Sequence, residues 1–377
     1  MSSRIVFLVP GFFGFSRLGA VNYFNGVRRA LERSFEALEF SAEIVHCSTQ
    51  PTGSITEQSN RLADEVIAAG GLTADEIHFI GHSTGGLNAR LLVSPGVNIR
   101  GGRDEEHIGG KTRSVVTVST PHHGTPLANF FTSLNGRYVL QLLTILATST
   151  GGRRSIFLAS KLLGILAKID DPIRTKRNML DELSDSIFDK LTLDPNDPIW
   201  RFLQEIAADQ GAIIQLTPEG ISLFNAATTD RPSVHYRCLA TAAPPPKLID
   251  RSNLWKLDRT VFHLIFNFLY QVTAREHRHY PYPTDHRSAR CLEILAQLPF
   301  EIDSRSNDGI VPVLSQLWGE PIDAVVGDHL DIVGQFRDSN EPFRDWLPSG
   351  SSFDAEQFEQ TWEKIALAIK QASDHSK

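Results

Sequence analysis

The first third of the chain alternates between two hydrophobic rhythms. Arg4 is followed by the apolar run Ile5-Val6-Phe7-Leu8-Val9, which Pro10-Gly11 closes. A run this short, rich in β-branched and aromatic side chains and ended by turn residues, predicts a buried strand. A helical pattern follows at about 20–35. Residues 43–48 are a second strand, and Pro51-Thr52-Gly53-Ser54 leads into a helix over about 54–69. Ile77, Phe79 and Ile80 mark another buried strand, which ends in Gly81-His82-Ser83-Thr84-Gly85-Gly86. A helical pattern begins at once, with Leu87, Leu91 and Leu92 on one face. The polar, Gly-rich residues 96–112 read as a surface loop, and residues 114–119 as a further strand. Strands alternating with helices predict an α/β fold, a mostly parallel sheet flanked by helices.

From 127 to 230 the pattern changes. Helical periodicity dominates and no strand signal stands out. Residues 138–147 are strongly apolar, and 153–169 mixes Ile156, Leu162, Leu163 and Ile165 with Arg153, Arg154, Lys161 and Lys168. The strand rhythm resumes at 234–240. A second insertion, 246–300, holds an apolar-aromatic helix at about 254–272. The last stretch carries a strand near 322–326, a loop at 327–335 and a helix at about 354–371, where Phe358, Trp362, Ile365 and Ile369 share a face. The pattern therefore divides into a core (1–126, 231–245 and 301–377), a helical cap or lid (127–230) and a second cap insertion (246–300).

Composition narrows the class. With 377 residues the chain exceeds the usual size of one hydrophobic core, which fits a domain carrying insertions. Hydrophobic residues at 41% and charged residues at 21% exclude a mainly disordered chain. A net charge of −7 without a basic block argues against nucleic acid as partner. Cys47, Cys238 and Cys291 allow one bridge at most, and none is expected. No apolar run reaches the length of a membrane span. The N-terminal run lacks a small-residue cleavage site, so the expected location is cytoplasmic, with secretion as the alternative.

The chemistry concentrates at strand ends. Gly81-x-Ser83-x-Gly85 lies between a predicted strand and a predicted helix, the setting in which such a serine becomes a nucleophile. Serine is a weak nucleophile until a base takes its proton. In this arrangement an acid and then a histidine follow later in the chain. Asn307-Asp308-Gly309-Ile310-Val311 supplies the acid and Gly327-Asp328-His329-Leu330-Asp331 the histidine. Ser83 would attack an acyl carbon, His329 would act as base and then acid, and Asp308 would fix its tautomer. Asp303 is a minor alternative acid; Asp328 and Asp331 lie too close to His329 in sequence to orient it. His122 and His123 follow a strand and read as structural or cleft-lining. His82, beside the nucleophile, points elsewhere. Two N–H donors are needed for the developing oxyanion: Thr84 follows the nucleophile, and Phe12 lies in the Gly-rich turn after the first strand.

Five segments together resemble the true lipases of bacteria, within the α/β-hydrolase superfamily. They are Leu8-Val9-Pro10-Gly11-Phe12-Phe13-Gly14-Phe15, Gly81-His82-Ser83-Thr84-Gly85-Gly86, Ser119-Thr120-Pro121-His122-His123-Gly124-Thr125-Pro126, Asn307-Asp308-Gly309-Ile310-Val311 and Asp328-His329-Leu330-Asp331-Ile332-Val333-Gly334-Gln335. The resemblance covers both ends of the chain and leaves 127–210 and 246–300 unmatched. It implies an α/β-hydrolase fold with a lid and hydrolysis of medium- to long-chain carboxylic esters. It also implies Ser83, Asp308 and His329 as triad, with Phe12 and Thr84 as oxyanion donors. One departure is Pro10, where the family usually has histidine. A structural calcium ion is a second implication: Asp331 and Gln335 stand at the positions of two ligands. A further carboxylate is needed upstream, for which Asp285, unaligned with the family, is a candidate. The cluster His277, His279, Asp285 and His286 reads as a solvated loop rather than a zinc site. The chemistry needs no cofactor.

The expected partner is an acyl-ester lipid, with transient lipid-surface contact through the lid. Other readings keep the triad and change the acyl compound: polyester, thioester, phospholipid or acyl transfer. A non-catalytic binding protein on the same fold is the alternative from another class.

Overall fold

The computed structural model describes residues 3–12, 17–18, 21–50, 52–99, 101, 103–133, 139, 211–246, 257–276, 288–337, 345 and 347–375. Six strands form one sheet: β1 (Arg4–Val9), β4 (Glu43–His46), β5 (Glu76–His82), β6 (Thr112–Val118), β7 (His235–Ala242) and β8 (Glu320–Val326). Their order is β4-β1-β5-β6-β7-β8, and every neighbouring pair is parallel. β2 (Arg17–Leu18) and β3 (Val21–Asn22) form a separate antiparallel ribbon.

Parallel strands are covered on both faces, which is why they read as continuous apolar runs. In β1 the side chains divide by the two-residue period of a strand. Val6 and Leu8 join α1 (Val27–Ala37) and the C-terminal helix Ala355–Asp374 through Leu31, Phe35, Phe358, Trp362 and Ile365. Ile5, Phe7 and Val9 join α2 (Ile55–Ala68) and α3 (Thr84–Val93) through Leu62, Val66, Leu92 and Val93. The C-terminal helix starts at a capping box of Asp354 and Gln357, and Trp362 Nε1 ties it to the Ile332 carbonyl at 3.0 Å.

Two expectations change. Residues 96–112 are not all loop: Arg103–Lys111 is a helix, α4. Its polarity hid it, yet Asp104, Glu105 and Glu106 in its first turn and Lys111 in its last complement the helix dipole, and Ile108 is buried. The helix expected at about 20–35 begins only at Val27, after the ribbon and Gly26, whose φ of 77° suits glycine. The apolar-aromatic segment of the second insertion is a helix, Leu257–Thr273. Apart from Val139, the segment 138–169 lies outside the described residues, as do His277, His279, Asp285 and His286. Among the described residues no helix is long and apolar enough to cross a membrane.

The strand order matters for function. From β1 the chain moves outward to β4, then returns across β1 to β5. Strand order reverses between β1 and β5, and ligands bind at the carboxyl ends of strands at such a point. Gly11-Phe12 and Ser83 follow those two strand ends.

Candidate active site

Ser83 leaves β5 with φ 53° and ψ −129°, a strained conformation for a residue with a side chain. The surroundings hold it there. Its N–H donates to the Val118 carbonyl at 2.9 Å, and its carbonyl accepts from Gly86 N at 3.1 Å. The flanking glycines are required by close approach. A Cβ on Gly81 would strike the backbone of Gly85 and Gly86, and one on Gly85 would strike the carbonyls of Val9 and Pro10. The turn at Ser83 is thus packed directly on the turn after β1. Thr84 is the first residue of α3, where a backbone N–H has no partner within the helix. The N-terminal dipole also favours negative charge there.

Asp308 and His329 come from two loops that meet. His329 Nδ1 lies 2.8 Å from Asp308 Oδ2, and His329 N donates to the Asp308 carbonyl at 3.0 Å. A carboxylate can only accept, so Nδ1 carries the proton and Nε2 is left with a lone pair. Asp308 is fully buried and holds four further donors: Thr241 Oγ1 at 2.8 Å and Gln316 Nε2 at 3.2 Å on Oδ2, and the N–H groups of Ile310 (3.0 Å) and Val311 (2.7 Å) on Oδ1. Sequence motifs mark neither Thr241 nor Gln316 as a site residue. Thr241 had a weak signal, a polar residue near the end of an apolar strand; Gln316 had none.

The other candidates are occupied elsewhere. Asp303 is exposed and caps its own turn, accepting from Arg305 N and Ser306 N. His122 is buried between Arg90 Nη1 (3.1 Å) and Thr117 Oγ1 (3.0 Å). Burial, and then the charge of Arg90, hold its pKa well below the usual value; the same two causes bring His123 to about 4. Arg90 itself stacks on Trp318, its guanidinium carbon 3.6 Å from the ring centre. His82 is buried beneath the site and bonded to Tyr23 and to the His329 carbonyl.

Asp331 and Gln335 face different partners. Asp331 Oδ2 accepts from Asp328 N (2.9 Å) and Ser351 Oγ (2.8 Å), while Gln335 Nε2 donates to the Asn22 carbonyl at 2.8 Å. Burial, and then Asp345, raise the Asp331 pKa. Among the described residues no group of three or more His, Cys, Asp or Glu side chains is arranged to hold a metal ion.

An apolar cluster adjoins the first turn. Ile55, Leu87, Ala128, Leu216 and Ile221 pack together, with the partly buried Phe12, Leu91 and Phe224 against them. Leu216 precedes the helix Pro218–Ala227, which contributes Ile221 and Phe224.

Comparison with known proteins bears on the fold. No family model matches the chain. A triacylglycerol lipase of Pseudomonas fragi is 28% identical over 125 residues, 33% of this chain and 36% of that protein. The match thus spans about a third of the length of that relative. The crystal structure of Staphylococcus hyicus lipase superposes with a TM-score of 0.52 at 16% identity, covering 99% of this chain and 96% of that one. The structure of lipase 1 from Pelosinus fermentans gives 0.51 at 17% identity, covering 97% and 99%. The fold is that of the α/β-hydrolases.

Proposed function

We propose that this chain is a serine hydrolase of carboxylic esters that works through an acyl-enzyme on Ser83. One observation carries the reading: a strained serine at the end of β5, on the same sheet edge as a buried histidine–carboxylate pair.

The proposed reaction uses the groups described above. His329 Nε2 takes the Ser83 proton as Oγ attacks the ester carbon. The imidazolium that forms keeps its Nδ1–H on Asp308, whose negative charge stabilises it. The N–H groups of Phe12 and Thr84 receive the developing oxyanion. Collapse expels the alcohol, which His329 protonates. Water, deprotonated by the same nitrogen, then attacks the acyl-enzyme and releases the acid. No step requires a metal or an organic cofactor.

The substrate reading is an acyl-ester lipid of medium to long chain. Two things support it: the likeness to a triacylglycerol lipase, and the partly buried Phe12, Leu91 and Phe224, which lie on the apolar cluster beside the turn after β1. An acyl chain leaving the oxyanion turn on that side would meet the accessible parts of these three apolar side chains. The test is hydrolysis of p-nitrophenyl esters from acetate to palmitate by wild type and Ser83→Ala. Release that rises with chain length and vanishes in Ser83→Ala is the expected result. Release confined to acetate would favour a small-ester hydrolase, and equal rates in both proteins would defeat the reading.

A further inference from the structure

Pro10 has no N–H, so Gly11 provides the first backbone donor of the turn after β1. That donor is not spent on the sheet. Gly11 N–H donates to Tyr23 Oη at 2.8 Å. Tyr23 Oη lies 2.7 Å from His82 Nδ1, and His82 Nε2 lies 2.9 Å from the His329 carbonyl. All three side chains are buried: Tyr23 at 7%, His82 at 0% and His329 at 5% exposure.

The two ends set the polarity of this chain. The carbonyl of His329 can only accept, so His82 Nε2 carries a proton. A neutral imidazole then accepts at Nδ1, so the Tyr23 hydroxyl donates there and accepts from Gly11. Every group is satisfied in one direction only. Burial keeps the Tyr23 hydroxyl protonated, and burial with the adjacent His329 keeps His82 neutral. The rings of His82 and His329 lie 4.7 Å apart. His329 is thus held at both backbone groups, its N–H by the Asp308 carbonyl and its C=O by His82. The turn is packed on the relay as well as bonded to it: a Cβ on Gly11 would lie 2.7 Å from Tyr23 Oη and 2.8 Å from the His82 carbonyl.

We propose that Tyr23 and His82 are positioning residues, a one-way hydrogen-bonded relay that fixes the oxyanion turn at Gly11-Phe12 against the loop carrying His329. The proposal rests on Ser83 being the nucleophile. Phe12 N–H is one peptide beyond the tethered Gly11 N–H, so loss of the tether rotates the donor. Loss of the His82 contact frees the base. Neither side chain touches substrate.

The test is the rate at which a fluorophosphonate modifies Ser83, read by intact mass, alongside kcat, KM and melting temperature. The proteins are wild type, Tyr23→Phe, His82→Leu, His82→Gln and the Tyr23→Phe/His82→Leu double variant. Tyr23→Phe and His82→Leu should each slow modification and kcat by roughly 10- to 100-fold, the cost of a misplacement near 1 Å or less. KM should stay within about twofold, since binding contacts are untouched. His82→Gln should recover most of the rate, because its amide N–H reaches the His329 carbonyl and its oxygen faces Tyr23. The double variant should be no slower than the slower single variant, as expected of one unit. Rates near wild type, additive losses, or Gln as slow as Leu would each overturn the relay.

Histidine ¹⁵N spectra of wild type give a readout that needs no variant. His82 should be a neutral Nε2–H tautomer from about pH 5 to about pH 9, and a titrating or Nδ1–H His82 would overturn the proposal. If wild type cleaves no ester yet Ser83 is modified at relay-dependent rates, the ester reading fails and the relay stands. If Ser83 does not react in wild type, both fall.

Discussion

Replacing Asp308 by asparagine keeps the size of the side chain and reverses the polarity of half of it. Five donors converge on the native carboxylate: Ile310 N and Val311 N on Oδ1, and His329 Nδ1, Thr241 Oγ1 and Gln316 Nε2 on Oδ2. The two backbone donors cannot turn away, so the amide oxygen must face them. The NH₂ group then faces His329. To avoid opposing a donor with a donor, the imidazole shifts its proton from Nδ1 to Nε2. Nε2, the base of the proposed mechanism, is then already protonated and cannot take the Ser83 proton, and the imidazolium has lost its counter-charge. Wrong tautomer and lost charge together should lower kcat by about 10³- to 10⁴-fold, or roughly 4–5.5 kcal/mol of barrier. KM should change little, because the carboxylate is buried behind the histidine. The assay is p-nitrophenyl ester turnover, with a melting curve to establish that the variant is folded. A folded Asp308→Asn protein retaining more than about a tenth of wild-type kcat would refute the tautomer argument.

Further outcomes follow from the same contacts. Glu76 accepts from Arg4 and Ser373 and faces His78 at 3.8 Å; His78 lowers its pKa most, burial opposes, and Ser373 and Arg4 add to the lowering, to about 2. A depressed carboxyl contributes stability above its unfolded pKa that is lost as pH falls through the folded value. Glu76→Gln should therefore lose about 2–3 kcal/mol near pH 7 and show a flatter acid limb in denaturant titrations from about pH 7 to about pH 2. Gly81→Ala should cost about 2 kcal/mol or more in urea unfolding, because its methyl meets backbone rather than a movable side chain. Arg90→Lys should lower stability by about 1–2 kcal/mol, since an ammonium cannot reproduce the guanidinium stacked on Trp318 and bonded to His122 and Asn225. An unchanged melting temperature would contradict that reading.

The α/β architecture and the neighbourhood of the site were readable wherever local physics dictates local pattern. Buried parallel strands must be apolar on both faces, so β1, β5 and β6 announce themselves. The turn at Ser83 needs glycine at 81 and 85 because backbone approaches from two sides, and that need is written as a motif. The Asp308–His329 pairing followed from chain order and is seen at 2.8 Å. Other features depend on placements that no local pattern encodes. α4 was hidden because a helix buried along one narrow stripe is mostly polar. Tyr23 lies in an unremarkable stretch, and only the fold brings its hydroxyl between Gly11 and His82. Thr241 and Gln316 reach Asp308 from β7 and from the short turn Val313–Gln316, partners 67 and 8 residues away. Gln335 donates its amide N–H to the Asn22 carbonyl, because the ribbon that precedes α1 lies against it, a contact between residues far apart in sequence.

The central claim is that catalysis passes through an ester bond on Ser83 Oγ. The most direct measurement is rapid-quench hydrolysis of a p-nitrophenyl ester, with the acyl group located by mass spectrometry of the peptides. A burst of p-nitrophenol stoichiometric with enzyme, with the acyl mass on the peptide containing Ser83 and absent from Ser83→Ala, is the predicted result. An acyl group on another residue, or undiminished hydrolysis by Ser83→Ala, would contradict it.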